Sequence, residues 1–164
     1  MWDGSARADI IRAVDLRAEL LPPPVNRQRL EELRMEIDRI ADLVAGRSAD
    51  ADGAIGAFNT ATGHDYTTLD FTEYAGSRAV EEFAREAARP ARPRIGDITR
   101  KELVEIVRRI LKADQDSDYY LRLLEANVLH PRVGDLIIHP PDGLQDASAQ
   151  EIVDEALKYR PIAL

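Results

Sequence analysis

Apolar side chains recur at every third or fourth position along most of this chain, which is the spacing of one face of an α-helix. The clearest example lies between Asn26 and Gly46, two residues of the types that cap the start and the end of a helix. Its apolar positions are Leu30, Leu33, Ile37, Ile40 and Val44. No segment shows the strict alternation that is typical of a half-buried β-strand. The sequence therefore predicts an all-α fold, with a core of Leu, Ile, Val and Ala because aromatic residues make up only 5% of the chain.

Prolines divide the chain into segments. Pro22-Pro23-Pro24 ends a first predicted helix, which follows Ser5 and carries Leu20 and Leu21 on its apolar face. The connection from Pro90 to Arg94 is stiff, because its prolines are closely spaced, and we take it as a domain boundary. The prediction is a helical region of unknown role over residues 1–94, followed by a four-helix domain over residues 95–164.

Within the first region, further helices are predicted over residues 26–46, 48–63 and 78–89. The stretch 64–77 lacks a clear helical period and is expected to be irregular. Three of its apolar side chains are expected to turn into the core, namely Leu69, Phe71 and Tyr74.

The start of the four-helix domain is marked by Thr99 and Glu102, which have the spacing of a capping box. The apolar face that follows consists of Leu103, Ile106, Val107, Ile110 and Leu111. Either Asp116 or Ser117 can cap the second helix, and His130-Pro131 ends it.

The third helix of this domain is predicted to be very short. Only the run from Gly134 to Ile138 is available for it, because Pro131 and Pro140 bracket this segment. Ser148 and Glu151 form a second capping-box pattern, which opens the last helix. We therefore expect three helices of ordinary length, with one helix of about a single turn between the second and the last.

Negative charge is concentrated in one part of the chain. Between Ala113 and Glu155 there are ten acidic residues, opposed only by Arg122 and Arg132, so this segment carries a charge of −8, equal to that of the whole chain. An acidic surface repels nucleic acid and anionic membranes and attracts a basic partner. The chain has no cysteine, no apolar run of about 18 residues and no secretion signal, so we expect a soluble protein of the bacterial cytoplasm.

The sequence offers little support for catalysis. It contains neither a phosphate-binding glycine loop nor a nucleophile-elbow motif. His130, Asp135 and His139 could form a metal site or an acid–base set, but a further ligand at suitable spacing is missing. We therefore expect no catalytic residue, no metal and no cofactor.

From Asp97 to Arg160 the order of these elements resembles the immunity proteins that neutralise colicin- and pyocin-type nucleases. The matching elements, in chain order, are an Ala113-Asp114 turn, an acidic helix start, His130-Pro131, Asp135-Leu136-Ile137 with Pro140, an acidic loop with a glycine, and the segment from Ser148 to Arg160.

The resemblance implies that the acidic helix and the very short helix together form a toxin-binding face. The acidic helix then supplies the residues that select the partner, Asp118, Leu121, Arg122 and Glu125, and Asp116 and Tyr119 complete its contribution. The short helix supplies a shared anchor, consisting of Asp135, Ile138, His139 and Pro140.

Two features depart from the family pattern. Ile138 and His139 stand where the family usually carries two aromatic residues, and the segment from Asp114 to His130 is shorter by about one helical turn. An aliphatic side chain and an imidazole offer less contact area than two aromatic rings.

The leading hypothesis is an immunity protein, not an enzyme, that binds a cognate secreted nuclease toxin and blocks its access to nucleic acid. The expected partner is a basic nuclease domain, with no direct contact to nucleic acid or membrane, and a homodimer through the N-terminal helices remains open. The alternative is a non-enzymatic helical interaction or regulatory module with a different partner, which the missing aromatic pair favours. A small hydrolase centred on His139 and Asp135 is the weakest hypothesis.

Overall fold

The computed structural model describes residues 15–77, 79–113 and 115–160. Within these ranges the chain forms eight α-helices and one 3-10 turn and no strand, which confirms the all-α prediction. No helix in this part of the chain is both long and apolar enough to cross a membrane. The chain divides into two compact units, one formed by Pro23–Ala91 and the other by the residues on either side of that segment.

The unit Pro23–Ala91 contains four helices, α1 to α4. Their bounds are Arg27–Ala45, Ala51–Thr62, Thr68–Ser77 and Val80–Ala88. Helix α1 begins as predicted, because the Asn26 side chain accepts a hydrogen bond from the Arg29 N–H at 3.0 Å. Helix α2 ends at Gly63, whose φ of 74° is a left-handed conformation that glycine adopts without strain.

Helix α3 contradicts the prediction that residues 64–77 are irregular. The Thr67 N–H donates to Asp70 Oδ2 at 2.7 Å, and this contact satisfies a backbone donor at the start of the helix. The Thr-x-x-Asp spacing was a readable signal for it. Phe71 is buried as expected and Tyr74 is partly buried, but Leu69 is exposed, since it lies two positions before Phe71 and therefore on another side of the helix.

The core of this unit is built around α1. Leu33, Ile37 and Ile40 are buried against a cluster of aromatic rings. The cluster consists of Phe58, Tyr66, Phe71 and Phe83, with ring centroids between 4.9 and 6.4 Å apart. The apolar seam of α1 is thus covered within its own unit.

The second unit contains helices α5 to α8. Their bounds are Arg100–Leu111, Ser117–Asn127, Asp135–Ile138 and Ala149–Leu157. Both directions of the predicted capping box at Thr99 and Glu102 form. At α8 the Ser148 side chain accepts from the Glu151 N–H at 3.2 Å, which is one half of the second predicted box. Helix α7 has four residues, in agreement with the very short helix predicted between the prolines.

A segment from the start of the chain completes this second unit. Leu16 and Leu20 are buried in the same core as α5 and α8. Arg17 Nε donates to Glu102 Oε1 at 2.7 Å, and Arg17 Nη2 donates to the carbonyl oxygen of Gly96 at 3.3 Å. The first predicted helix was expected to follow Ser5 and to end before Pro22, and its part up to residue 14 lies outside the described residues. In the remainder the prediction of an α-helix is wrong, because only a 3-10 turn forms over Ala18–Leu20.

We expect Leu20→Ala to destabilise the second unit by about 2–5 kcal/mol, because Leu20 is fully buried and the substitution leaves a cavity. Leu21→Ala is the matched control, since the neighbouring side chain is exposed and its loss should change stability by less than about 0.5 kcal/mol. Native-state hydrogen exchange of the α5 and α8 amides measures both effects. Equal protection in the two variants would contradict the assignment of this segment to the second unit.

The stability of this unit should also depend on pH through Glu102. Its pKa is lowered because the carboxylate accepts a hydrogen bond from the Thr99 N–H and is further stabilised by Arg17, although burial acts in the opposite direction. A carboxyl group with a lowered pKa in the folded state stabilises the fold above its unfolded pKa of about 4.3, and this contribution is lost as the pH falls through the lower, folded value.

The difference in melting temperature between the natural protein and Glu102→Gln should therefore be widest near neutral pH and should narrow below about pH 4. Thermal unfolding measured between pH 7 and pH 3 tests this expectation. A difference that stays constant over this range would show that the charge of Glu102 contributes nothing.

Candidate partner-binding surface

The residues predicted to bind a partner lie on α6, on α7 and at the end of α7. Asp118, Glu125, Ile138 and His139 are exposed, and Asp116, Leu121, Arg122, Asp135 and Pro140 are partly exposed. Tyr119 is buried in the core, where its ring centroid lies 6.2 Å from that of Tyr120. The structure therefore leaves Tyr119 out of the exposed set, and we call the nine other residues, for which the family resemblance implies toxin binding, the toxin-facing surface.

Gly134 brings α6 and α7 together. A Cβ atom at this position would lie 2.8 Å from Glu125 Oε1 and 3.5 Å from Leu121 Cδ1, so the backbone at the start of α7 packs directly against α6. Its φ of −60° and ψ of −36° are ordinary helical values, so the absence of a side chain matters here for the close approach of Glu125 and Leu121 and not for an unusual conformation. This contact places two of the predicted selecting residues beside the predicted anchor.

Helix α7 is held rigidly although it is only four residues long. Val133 and Leu136 are buried in the core of the unit and anchor the helix there. On the other side, the Ile138 side chain is 55% exposed. The backbone N–H groups of Ile138 and His139 donate to the carbonyl oxygens of Gly134 and Asp135, each at 2.9 Å. The helix therefore presents a preorganised apolar side chain next to the carboxylate of Asp135.

The turn before α7 is organised by His130. Its Nδ1 atom accepts a hydrogen bond from the Arg132 N–H at 3.1 Å, and its ring lies 5.4 Å from that of Tyr159. Arg132 in turn donates from Nε to Asp135 Oδ2 at 2.9 Å. His130 thus has a structural role in this turn. Among the described residues, no group of three or more His, Asp or Glu side chains is placed to hold a metal ion.

The negative charges of the surface differ in how they are compensated. Asp118 and Glu125 make no hydrogen bond or ion pair within the described part of the chain, whereas Asp135 is paired with Arg132. On α5, by contrast, the buried Glu105 is paired with Arg108 and Arg109 at 3.1 Å each. Asp118 and Glu125 therefore leave two exposed negative charges on α6 without internal compensation among the described residues.

Sequence reasoning missed two exposed residues near this surface. Leu129 follows the end of α6 and is 74% exposed. The side chain of Arg132, which forms an ion pair with Asp135, is 79% exposed. Arg132 stands inside the motif that carries the family resemblance, between His130-Pro131 and Asp135, so its position was a readable signal. The exposure of Leu129 had no such signal, because apolar residues near a helix end are usually buried.

The contact at Gly134 can be tested by adding side-chain volume. We expect Gly134→Ala to change stability by less than about 1 kcal/mol, because only the flexible end of Glu125 must move and alanine favours helical conformations. Gly134→Ile should cost about 1–3 kcal/mol by overpacking. Urea denaturation of both variants measures the difference, and a Gly134→Ile protein as stable as the natural one would show that α7 does not rest on α6.

Residues 95–161 match the family model described as colicin immunity protein / pyocin immunity protein, and the match covers all four helices of the second unit. Neither curated proteins nor solved structures give a match to this chain. The resemblance seen in the sequence is therefore confirmed for the C-terminal part, and residues 95–161 are the part of this chain that is similar to the colicin and pyocin immunity proteins.

Proposed function

We propose that this chain is a bacteriocin immunity protein that binds a cognate secreted nuclease toxin through the toxin-facing surface and so inhibits it. The family match over residues 95–161 points to bacteriocin immunity, and an immunity protein requires a toxin as its partner. The observation that supports the proposal most strongly is the close approach at Gly134, because it joins the carboxylates of α6 to the exposed residues of α7.

The chemistry of the surface suits a nuclease. Enzymes that cleave nucleic acid need a basic surface to hold the phosphate backbone. Asp118 and Glu125 are exposed and uncompensated, so they can steer a basic domain and pair with its cations. A bound acidic domain beside the catalytic centre also repels nucleic acid, so inhibition requires no group that reacts.

The exposed side chain of Ile138 provides an apolar centre for this surface. Residues that carry most of the binding energy tend to lie at the middle of an interface, surrounded by polar residues that exclude water. Because α7 is fixed from below by Val133 and Leu136, little conformational entropy is lost when a partner covers it. A small apolar pocket on the toxin, rather than a broad aromatic one, is the expected complement to Ile138.

The alternative is a helical interaction or regulatory module with a partner that is not a nuclease. One observation favours it. Ile138 and His139 replace the aromatic pair of the family, and the buried position of Tyr119 prevents that ring from compensating. Both candidate functions use the same binding surface. They differ in whether the protein that binds to this surface is a nuclease.

Inhibition of the nuclease domain encoded by a neighbouring reading frame tests the leading proposal. The full chain should abolish cleavage of DNA or RNA at equimolar concentration. Asp135→Ala should weaken binding at least about tenfold, because it removes a charged anchor at the proposed interface.

Asp154→Ala is the matched control. Asp154 is also a half-exposed aspartate paired with an arginine, Arg100, but it lies on α8 outside the toxin-facing surface, so its loss should change binding less than about twofold. Cleavage that continues at full rate in the presence of the natural chain would reject the nuclease proposal. Binding of a protein without nuclease activity that is weakened by Asp135→Ala would instead support the alternative.

A further inference from the structure

Arg132 is an exposed cation within an acidic surface. It lies in the turn between α6 and α7, and its side chain is 79% exposed. Its hydrogen bond to Asp135 uses Nε, and its two terminal nitrogen atoms make no hydrogen bond within the part of the chain that the structure describes. The guanidinium therefore has donors to offer to a second acceptor.

We propose that Arg132 is a specificity-determining residue of the toxin-facing surface, and that it pairs with a carboxylate on the partner. This inference rests on the proposed function, because it assigns a residue of the same surface and names a chemical group of the same partner. It implies that the cognate nuclease carries an acidic residue within its otherwise basic binding surface, opposite the start of α7.

Arg132 carries a positive charge next to a surface that is mostly acidic. A positive side chain in this position lowers the attraction between an acidic surface and a uniformly basic one, so long-range electrostatics alone makes Arg132 unfavourable for binding. An exposed ion pair such as that between Arg132 and Asp135 also contributes little to the stability of the free protein. Neither folding nor steering therefore accounts for an arginine here.

A carboxylate on the partner opposite Arg132 would make the arginine favourable for binding. Arginine binds a carboxylate through two parallel N–H groups, and this pairing becomes stronger when the interface excludes water. A nuclease without the matching carboxylate would instead bring a cation against Arg132 and be repelled. One residue thus favours the cognate partner and opposes others, which is how a specific interface discriminates.

The chain provides a closely matched control for this residue. Lys158 pairs with Glu155 three positions earlier at 3.1 Å, with side-chain exposures of 73% and 43%, and Arg132 pairs with Asp135 three positions later at 2.9 Å, with exposures of 79% and 43%. Lys158 follows α8 and is not part of the toxin-facing surface. Removing either cation changes the net charge equally and disturbs a comparable exposed pair.

The test uses the full chain and the nuclease domain that it inhibits in the preceding experiment. Association and dissociation rates are measured for Arg132→Ala and Lys158→Ala. We expect Arg132→Ala to weaken binding at least tenfold, mainly through faster dissociation, and Lys158→Ala to change it less than twofold. Arg132→Lys should restore only part of the affinity, since a lysine cannot form the two parallel hydrogen bonds.

If charge alone governs the surface, Arg132→Ala will bind equally tightly or more tightly with faster association, and this outcome would overturn the inference. Unchanged circular dichroism and melting temperature establish that each variant is folded. A chain that inhibits no nuclease would remove both the proposed function and this inference, whereas inhibition that is unaffected by Arg132→Ala would remove the inference alone.

A double variant separates direct contact from positioning. If Arg132 only orients Asp135, the variant carrying both Arg132→Ala and Asp135→Ala will bind no more weakly than Asp135→Ala alone. If Arg132 contacts the partner, the double variant will lose further affinity. The first result would make Arg132 a positioning residue and would contradict the proposed pairing with a carboxylate.

Discussion

Gly134 lets the backbone of the short α7 approach α6 closely enough to touch Leu121 and Glu125, and the shape of the C-terminal surface depends on this contact. Four residues are too few to form a stable helix in isolation, because nucleation fixes several residues for each hydrogen bond gained. Helix α7 persists because its own Leu136 and the preceding Val133 are buried in the core of the unit. The exposed residues of α7 are thereby held in position by the core of the unit.

The charges of the second unit are distributed unevenly over its helices. Arginines next to Glu102 and Glu105 compensate these two buried carboxylates of α5, and the contacts stabilise the fold. The carboxylates of Asp118 and Glu125 on α6 have no such compensation within the described residues. Ion pairs therefore compensate the buried carboxylates of α5, whereas Asp118 and Glu125 on the neighbouring helix stay exposed and uncompensated within the described residues.

The two units differ in the way their cores are built. All three phenylalanines of the chain lie in the unit Pro23–Ala91, where they form the aromatic cluster against α1. The second unit has an aliphatic core with two tyrosines, Tyr119 and Tyr120. The family match covers only residues 95–161, so the proposed immunity function concerns the second unit. The core of the unit Pro23–Ala91 is formed by residues of that unit.

The sequence by itself determined most of the helical segments, apart from α3 and the 3-10 turn at Ala18–Leu20, and where most of these helices begin. The signals at Asn26, Thr99 and the proline-bracketed α7 depend on hydrogen bonds and steric limits between residues at most a few positions apart, so they can be read locally. The surface residues on α6 and α7 followed from the family resemblance, except for Tyr119. Only the tertiary structure decided that Tyr119 is buried, because a side chain on an amphipathic helix faces whichever neighbours pack against it.

Tertiary structure alone also joined the start of the chain to its C-terminal unit. Arg17 and Glu102 are 85 positions apart in the sequence, and no local pattern relates them. Their pairing exists because Leu16 and Leu20 are buried in the core beside α5, and burial of apolar surface depends on the whole packed arrangement and not on neighbouring residues. Local hydrogen bonds thus determine where the helices begin and end. Burial of apolar side chains from distant parts of the sequence determines which helix faces remain exposed.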